Sequence, residues 1–337
     1  MKRMNLEKLK SILETVGEPD YRFRQIYRAV FKNLCLNFEE MTDLPAELQR
    51  KLAKEVKPFS LKLKALEKGD GAEKALFELE DNLLIESVLM RHKYGRETVC
   101  ISSQVGCPLG CRFCATGQTG FKRNLDWQEM VEQVLFFAKK SKGRKPNVVF
   151  MGMGEPFLNY DNVMEAITIL KDRDGFGLAE RAISISTVGI VPEIRRFTEE
   201  NLEVNLAISL NAADDEQRSE LMPVNRRYPI TEVIKAAKDY VRKTRRKVFF
   251  EYILLKDVND DAASARKLAD LLRGTPLSHV NLIRYHETGT GFESADEKTV
   301  SRFKKELERN GLNVTVRHSF GQEIKGACGQ LATSSPS

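Results

Sequence analysis

Gly106-Cys107-Pro108-Leu109-Gly110-Cys111-Arg112-Phe113-Cys114-Ala115-Thr116-Gly117 gathers three of the chain's six cysteines into eight residues. Thiolates at this C-x3-C-x2-C spacing suit three irons of a 4Fe–4S cube, and no fourth sulfur lies near enough in sequence to close it. An incomplete cube keeps one iron open to a ligand, whereas four cysteines make a closed electron carrier. Zinc is the alternative for Cys107, Cys111 and Cys114, but a structural zinc site takes four protein ligands. The nearest upstream histidine is His92, and none follows before His279.

Outward from the triad, the pattern becomes strand, helix, strand, helix. Apolar runs at 99–103, 148–152, 182–187, 204–209, 248–255 and 279–284 read as buried strands. Asp126-Trp127-Gln128-Glu129 is a capping box opening an intervening helix, with Met130, Val131, Val134, Leu135 and Ala138 facing inward. Residues 230–244 and 262–272 read as two more helices. Strands joined by helical crossovers demand a parallel sheet with right-handed connections. The fold class is therefore α/β, a partial (β/α)6 barrel. An open doubly wound sheet is the competing layout, because strand order is invisible in sequence.

The barrel carries its own check, since chemistry in such folds gathers at the carboxyl ends of strands. The cysteine triad follows the first strand and Gly154-Glu155 the second. Ser186 closes the third, Ser209 the fourth, and His286 lies just past the sixth. All the chemically suggestive residues fall on one rim.

Upstream of the barrel, residues 1–65 read as helical, with a stripe of Leu6, Leu9, Ile12 and Leu13 and a helix start at Pro45. Residues 74–80 and 83–90 alternate as a hairpin across Asp81-Asn82. The implied organisation is a helical accessory domain over 1–75, a connecting hairpin over 76–97, the core over 98–320 and a short C-terminal extension over 321–337. The tail, residues 331–337, is small and polar and reads as frayed.

The bulk properties restrict the setting. No run of about 18 apolar residues exists, and the charged start lacks a signal peptide's apolar region. A cytoplasmic protein with reduced thiols is expected, with no membrane partner. Net charge is +6. Residues 1–75 hold sixteen Lys/Arg against twelve Asp/Glu, with aromatics interleaved in Tyr21-Arg22-Phe23-Arg24-Gln25-Ile26-Tyr27-Arg28. That mixture suits a phosphate backbone and exposed bases, although Phe23, Ile26, Tyr27 and Val30 also mark a helix core face.

Over nearly its whole length the chain resembles the radical SAM (S-adenosylmethionine) RNA adenine methyltransferases of the RlmN/Cfr type. The markers are Cys100-Ile101-Ser102-Ser103-Gln104-Val105-Gly106-Cys107 through the triad, Met151-Gly152-Met153-Gly154-Glu155-Pro156 and Ser184-Ile185-Ser186-Thr187. Leu221-Met222-Pro223-Val224-Asn225 and Ala327-Cys328-Gly329-Gln330-Leu331 complete the set. The resemblance implies a radical SAM barrel, a 4Fe–4S cluster with SAM on its fourth iron, and methylation of an adenine carbon in 23S rRNA, with tRNA as a further substrate. Carbon 2 leads, and carbon 8 is the alternative. A radical SAM enzyme with another substrate and a redox-sensing RNA-binding protein are the rival readings. A flavodoxin or ferredoxin electron donor and a monomeric state are further family expectations.

The resemblance also implies residue roles. Cys328 takes a methyl group from one SAM as S-methylcysteine, and a radical made from a second SAM activates that methyl for addition to adenine. Glu86 is the proton acceptor. Cys100 then attacks the Cys328 sulfur, forming a transient disulfide as the methylated base leaves. Gly154, Glu155, Ser186, Ser209, Leu210, Asn211 and His286 are implied to bind SAM. Two positions depart from the family pattern: Asn211 stands where histidine is common, and His286 where asparagine is. On the residues alone, Cys100 and Cys328 also read as inert packed thiols and Glu86 as a solvent-facing strand residue. Cys35, in an apolar stretch without a partner motif, reads as packing only.

Overall fold

The computed structural model describes residues 6–141 and 145–332. The charged first five residues and the last five of the polar tail lie outside the described residues. Three amphipathic helices come first: α1 (Leu6–Thr15), α2 (Tyr21–Phe31) and α3 (Ala46–Glu55). They bury Leu9 and Leu13, then Ile26, Tyr27, Val30 and Phe31, then Leu48 and Leu52. The expected helical stretch to residue 65 is too long. Helix ends at Glu55, and Lys62–Gly69 forms an edge strand, β1. Its lysines obscure the period-two pattern: Lys62 and Lys64 each reach Glu78 at 3.0 Å. Lysines also protect such an edge from pairing with other chains.

The expected hairpin is present as β2 (Ala72–Glu78) and β3 (Leu84–Arg91), paired antiparallel. Next come β4 (Glu97–Ile101), β5 (Gln104–Gly106), the single-turn helix α4 (Ala115–Gln118) and β6 (Phe121–Asn124). Then follow α5 (Trp127–Lys140), β7 (Asn147–Phe150), α6 (Tyr160–Lys171), β8 (Ile183–Thr187) and α7 (Val191–Glu199). The core continues with β9 (Asn205–Ser209), α8 (Asp215–Leu221), α9 (Ile230–Thr244), β10 (Val248–Leu254) and α10 (Ala262–Leu272). It ends with β11 (Ser278–Arg284), α11 (Glu297–Arg309) and β12 (Val314–Val316). The capping box is formed, with Asp126 and Glu129 each bonding the other's backbone N–H.

Ten strands make one sheet in the order β1-β2-β3-β4-β7-β8-β9-β10-β11-β12. From β4 onward every neighbouring pair is parallel. Each new strand adds to the same growing edge. A doubly wound sheet reverses direction at a switch point, so that layout is excluded. The six expected core strands are all present, and β12 adds a seventh parallel one.

Register divides the sheet into two chemically different faces. On one face Val99, Ile101, Val148, Phe150, Ile183, Ile185, Leu206, Ile208, Phe250, Val280 and Leu282 are fully buried. Strand pairing places another row on the opposite face: Lys74, Glu86, Cys100, Ser184, Ser186, Ser209, Glu251 and Asn281. Interiors of parallel barrels are ordinarily filled by branched apolar side chains. Here the face opposite that apolar layer carries a row of polar side chains.

Among the described residues no helix is long and apolar enough to cross a membrane.

Candidate active site

The three cysteines sit on a loop held open by the β5–β6 hairpin. Gly106 has φ +73°, and a Cβ there meets the Gly120 carbonyl oxygen at 1.7 Å, so the chain requires glycine at the point where the loop leaves the strand. Cys107 N–H donates to Gly120 O at 3.1 Å, Gln118 Nε2 to Cys111 O at 3.0 Å, and Arg112 N–H to Leu221 O at 2.9 Å. Burial pushes the Cys107 thiol up to about 12, with Glu155 and Cys114 adding to it. It raises Cys111 strongly, and Cys114 and Cys107 raise it further. Cys107 and Cys111 thus both sense the charge of Cys114.

At the end of β7 the chain turns through Gly154, φ +98°, where a Cβ meets Gln104 Cβ at 2.5 Å. Gln104 Oε1 accepts the Glu155 N–H at 2.8 Å, and its Nε2 donates to Asn124 at 2.8 Å. Glu155 is buried and accepts the N–H groups of Phe157 (3.0 Å) and Val188 (2.9 Å). Burial pushes its carboxyl up to about 7, while those donors oppose the shift. Ser186 and Ser209 meet at Oγ–Oγ 3.3 Å across the ends of β8 and β9.

Leu210 and Asn211, also expected at the SAM site, make contacts within the chain. Leu210 is fully buried, and its backbone spans Glu251 O and the Arg218 side chain. Asn211 adopts φ +58° and accepts Ile253 N–H at 3.0 Å, while its Nδ2 faces Met222 Sδ at 3.5 Å. Asparagine tolerates this left-handed turn, and its carboxamide braces the top of β10. His286 lies beyond β11, half-buried, 2.8 Å from Ser319 Oγ. Burial and nearby Arg284 lower its pKa.

Cys100 and Glu86 share the polar face because Val88, two residues from Glu86, pairs with Cys100. Glu86 is buried rather than solvent-facing. Its Oε1 lies 3.4 Å from buried Lys74 Nζ, and its Oε2 accepts Ala332 N–H at 2.9 Å. That last bond belongs to a strap formed by the C-terminal segment. Ala115 N–H donates to Gly329 O at 2.8 Å, Thr116 Oγ to Leu331 O, and Gln330 Nε2 to Glu287 O at 3.0 Å. The strap brings Cys328 beside the cysteine loop. Burial raises the Cys328 thiol, and Glu251 and Cys114 raise it further against Arg317. Burial also raises Cys100, and Cys328 adds to it.

Cys328 is nonetheless exposed, and Cys107 and Cys114 are partly so. Neighbouring groups crowd the Cys328 thiol while the residue stays open to solvent. All six cysteines are free, so the expected Cys100–Cys328 bridge is not formed in this structure.

Arg218 carries no sequence signal, being one charge in the polar run Asp214-Asp215-Glu216-Gln217-Arg218. It is fully buried. Its guanidinium donates to Leu210 O (3.1 Å), Asn225 Oδ1 (2.8 Å), Ser209 O (3.4 Å) and Val188 O. One side chain thereby fixes the outgoing ends of β8 and β9, beside Ser186 and Ser209. Lys74 was equally unmarked.

Residues 101–269 match the radical SAM superfamily, and residues 1–57 match the ribosomal RNA large subunit methyltransferase N-terminal domain. The chain is 45% identical over 333 residues to a probable dual-specificity RNA methyltransferase RlmN of Dictyoglomus turgidum, covering 97% of this chain and 94% of that one. It is 43% identical to the dual-specificity RNA methyltransferase RlmN of Nautilia profundicola, covering 96% and 95%. The chain belongs to the RlmN family of radical SAM enzymes. A crystal structure of a radical SAM methyltransferase from Sphaerobacter thermophilus superposes with a TM-score of 0.94 at 43% identity, covering 98% of both chains.

An RlmN-family enzyme carries a 4Fe–4S cluster and SAM, and this donor set fits them. Among the described residues no three His, Cys, Asp or Glu side chains converge on a single-ion site. A tetrahedral zinc with bonds of ~2.3 Å needs sulfurs roughly 3.8 Å apart. Cys107, Cys111 and Cys114 lie on one loop, and Cys111 senses the charge of both others; three thiols on one loop suit a cluster that keeps one iron open. Ligation needs thiolates, so loading must release protons from these raised thiols.

Proposed function

We propose that this enzyme methylates carbon 2 of an adenine in 23S rRNA, and in tRNA as well, with Cys328 carrying the transferred carbon. Carbon 2 bears a hydrogen too weakly acidic to leave a useful nucleophile at neutral pH, so direct attack on a sulfonium methyl fails there. Bound together, the cluster and SAM supply one-electron chemistry that avoids this barrier.

The observation that carries the reading is the strap: backbone bonds from Gly329, Leu331 and Ala332 tie the carrier segment to the cysteine loop and to Glu86. In this reading Cys107, Cys111 and Cys114 hold the cluster, leaving one iron for SAM. Gly154 lets the backbone approach closely, and Glu155 offers an acceptor to the SAM amino group. Ser186 and Ser209 supply hydroxyls, and His286 closes the rim. Glu86, on the same face as Cys100, accepts the proton that leaves the adduct. Cys100 attacks the Cys328 sulfur; an S–S bond forms as the C–S bond to the product breaks. The helical accessory domain presents the Arg- and Tyr-rich α2 to RNA. A flavodoxin- or ferredoxin-type donor, a monomer and a cytoplasmic setting complete the proposal. Reduced surroundings keep Cys100 and Cys328 free between turnovers.

The test is anaerobic reconstitution with iron, sulfide, SAM, reductant and RNA, followed by mass spectrometry of the digested RNA. 2-Methyladenosine is expected, with none from Cys328→Ala. Full activity of that variant refutes the carrier role, and 8-methyladenosine assigns the enzyme to the carbon-8 type.

A further inference from the structure

The polar face continues past the serines into a carboxylate whose role the reading above leaves open. Ser209 on β9 pairs directly with Glu251 on β10, and Glu251 with Asn281 on β11. Glu251 is 4% exposed, and its Oε1 accepts the Asn281 carboxamide N–H at 2.8 Å. Its Oε2 is buried and has no hydrogen-bond partner among the described residues. A buried carboxylate oxygen without a donor is costly, and native structures rarely tolerate one unless something outside the chain completes it.

Structural duty alone does not account for this atom. The backbone ties between β9 and β10 use the Glu251 carbonyl, which accepts Leu210 N–H at 2.9 Å, and not the side chain. Asn281 occupies only one oxygen. The side chain projects from the same face as Ser186 and Ser209, and Cys328 senses its charge. Two neutral hydroxyls beside an acceptor held in place match the surroundings of a ribose, whose hydroxyls donate well to a carboxylate.

We propose that Glu251, held by Asn281, binds ribose, its Oε2 accepting a hydrogen bond from a nucleoside hydroxyl placed next to Ser209. The inference rests on the SAM-dependent reading, and SAM is the first source of that hydroxyl. The target nucleotide of the RNA is the second.

The test is a cycle on the cluster-loaded protein, crossing Glu251→Gln with removal of the ligand hydroxyl. Calorimetry compares S-adenosylhomocysteine with its 2′-deoxy and 3′-deoxy forms, and a parallel arm compares an RNA stem-loop with one carrying 2′-deoxyadenosine at the target. A hydrogen bond to a charged acceptor predicts that losing the right hydroxyl weakens wild-type binding about ten- to hundredfold. Glu251→Gln should weaken the intact ligand similarly and abolish most of the hydroxyl effect. Coupling in the first arm assigns the hydroxyl to the cofactor, and in the second arm to the RNA. A variant that binds more weakly but keeps the full hydroxyl effect in both arms overturns the proposal and leaves Glu251 structural. Wild-type protein that binds no S-adenosylhomocysteine removes the underlying SAM reading as well, a result distinct from the first.

Discussion

Arg218→Met should lower thermal stability by a calculable amount. The guanidinium holds the buried Leu210 O and Asn225 Oδ1 at 3.1 and 2.8 Å and also bonds the part-buried Val188 O. Three such acceptors left without donors cost roughly 2 kcal/mol each. Against this, the native side chain is itself expensive to bury. Burial lowers its pKa from 12.5 to about 10, with Cys111 and Asp215 resisting. At ~1.4 kcal/mol per pH unit, removing the cation returns about 3 kcal/mol. Methionine fills much of the space, so the cavity contribution is small. The net loss is about 3 kcal/mol, or a drop of roughly 4 °C in melting temperature for a chain of this size. Scanning calorimetry of the anaerobic apoprotein measures it, with Arg218→Lys as an intermediate case because lysine supplies fewer, unfixed donors. A melting temperature for Arg218→Met within 2 °C of wild type, or above it, means the guanidinium does not secure these strand ends.

Three further outcomes follow from particular contacts. Gly154→Ala, with its Cβ 2.5 Å from Gln104 Cβ at φ +98°, should cost about 1–3 kcal/mol and weaken SAM binding tenfold or more; equal affinity by equilibrium dialysis contradicts this. Glu132 is buried on α5, accepting Ser60 N–H at 2.8 Å and Leu61 N–H at 2.9 Å, and burial pushes its carboxyl up to about 8. The folded state then holds this proton more tightly than the unfolded one. The stabilisation is complete below about pH 4.5 and is lost as pH rises through about 8. Glu132→Gln should flatten that decline in urea midpoints across pH 5–8, and parallel curves for the two proteins count against it. Cys35→Ser, at a part-buried thiol whose Sγ faces Glu40 O at 3.8 Å, should leave methylation within about twofold of wild type, since surface-proximal changes away from special features are near neutral; a large loss in the reconstituted assay assigns Cys35 a role that its surroundings do not suggest.

The core strands were legible because runs such as Val148-Val149-Phe150 and Leu206-Ala207-Ile208 are short, apolar and bounded by turns. β12 was not, since Val314-Thr315-Val316 is too brief to carry a period. β1 was hidden by the lysines that suit an edge. In the site, the cysteine triad, Glu155 and the two serines were readable from their positions at strand ends. Asn211 came to the cofactor site only through the family resemblance, and its left-handed turn, which points the carboxamide at Ile253, leaves no mark in the sequence. Arg218 and Lys74 look like ordinary surface charges in sequence, and Glu251 is a lone charge inside an apolar strand run. Their burial depends on strands and helices that meet only after folding, and no local window records that.

The C-terminal strap ties the segment bearing Cys328 to the cysteine loop as well as to the sheet. Two of its anchor points, Ala115 and Thr116, immediately follow Cys114, while Ala332 and Gln330 reach Glu86 and Glu287. Under the proposed mechanism, a disturbance of the cysteine loop therefore also shifts the segment bearing Cys328, which couples cluster loading to the placement of the carrier thiol.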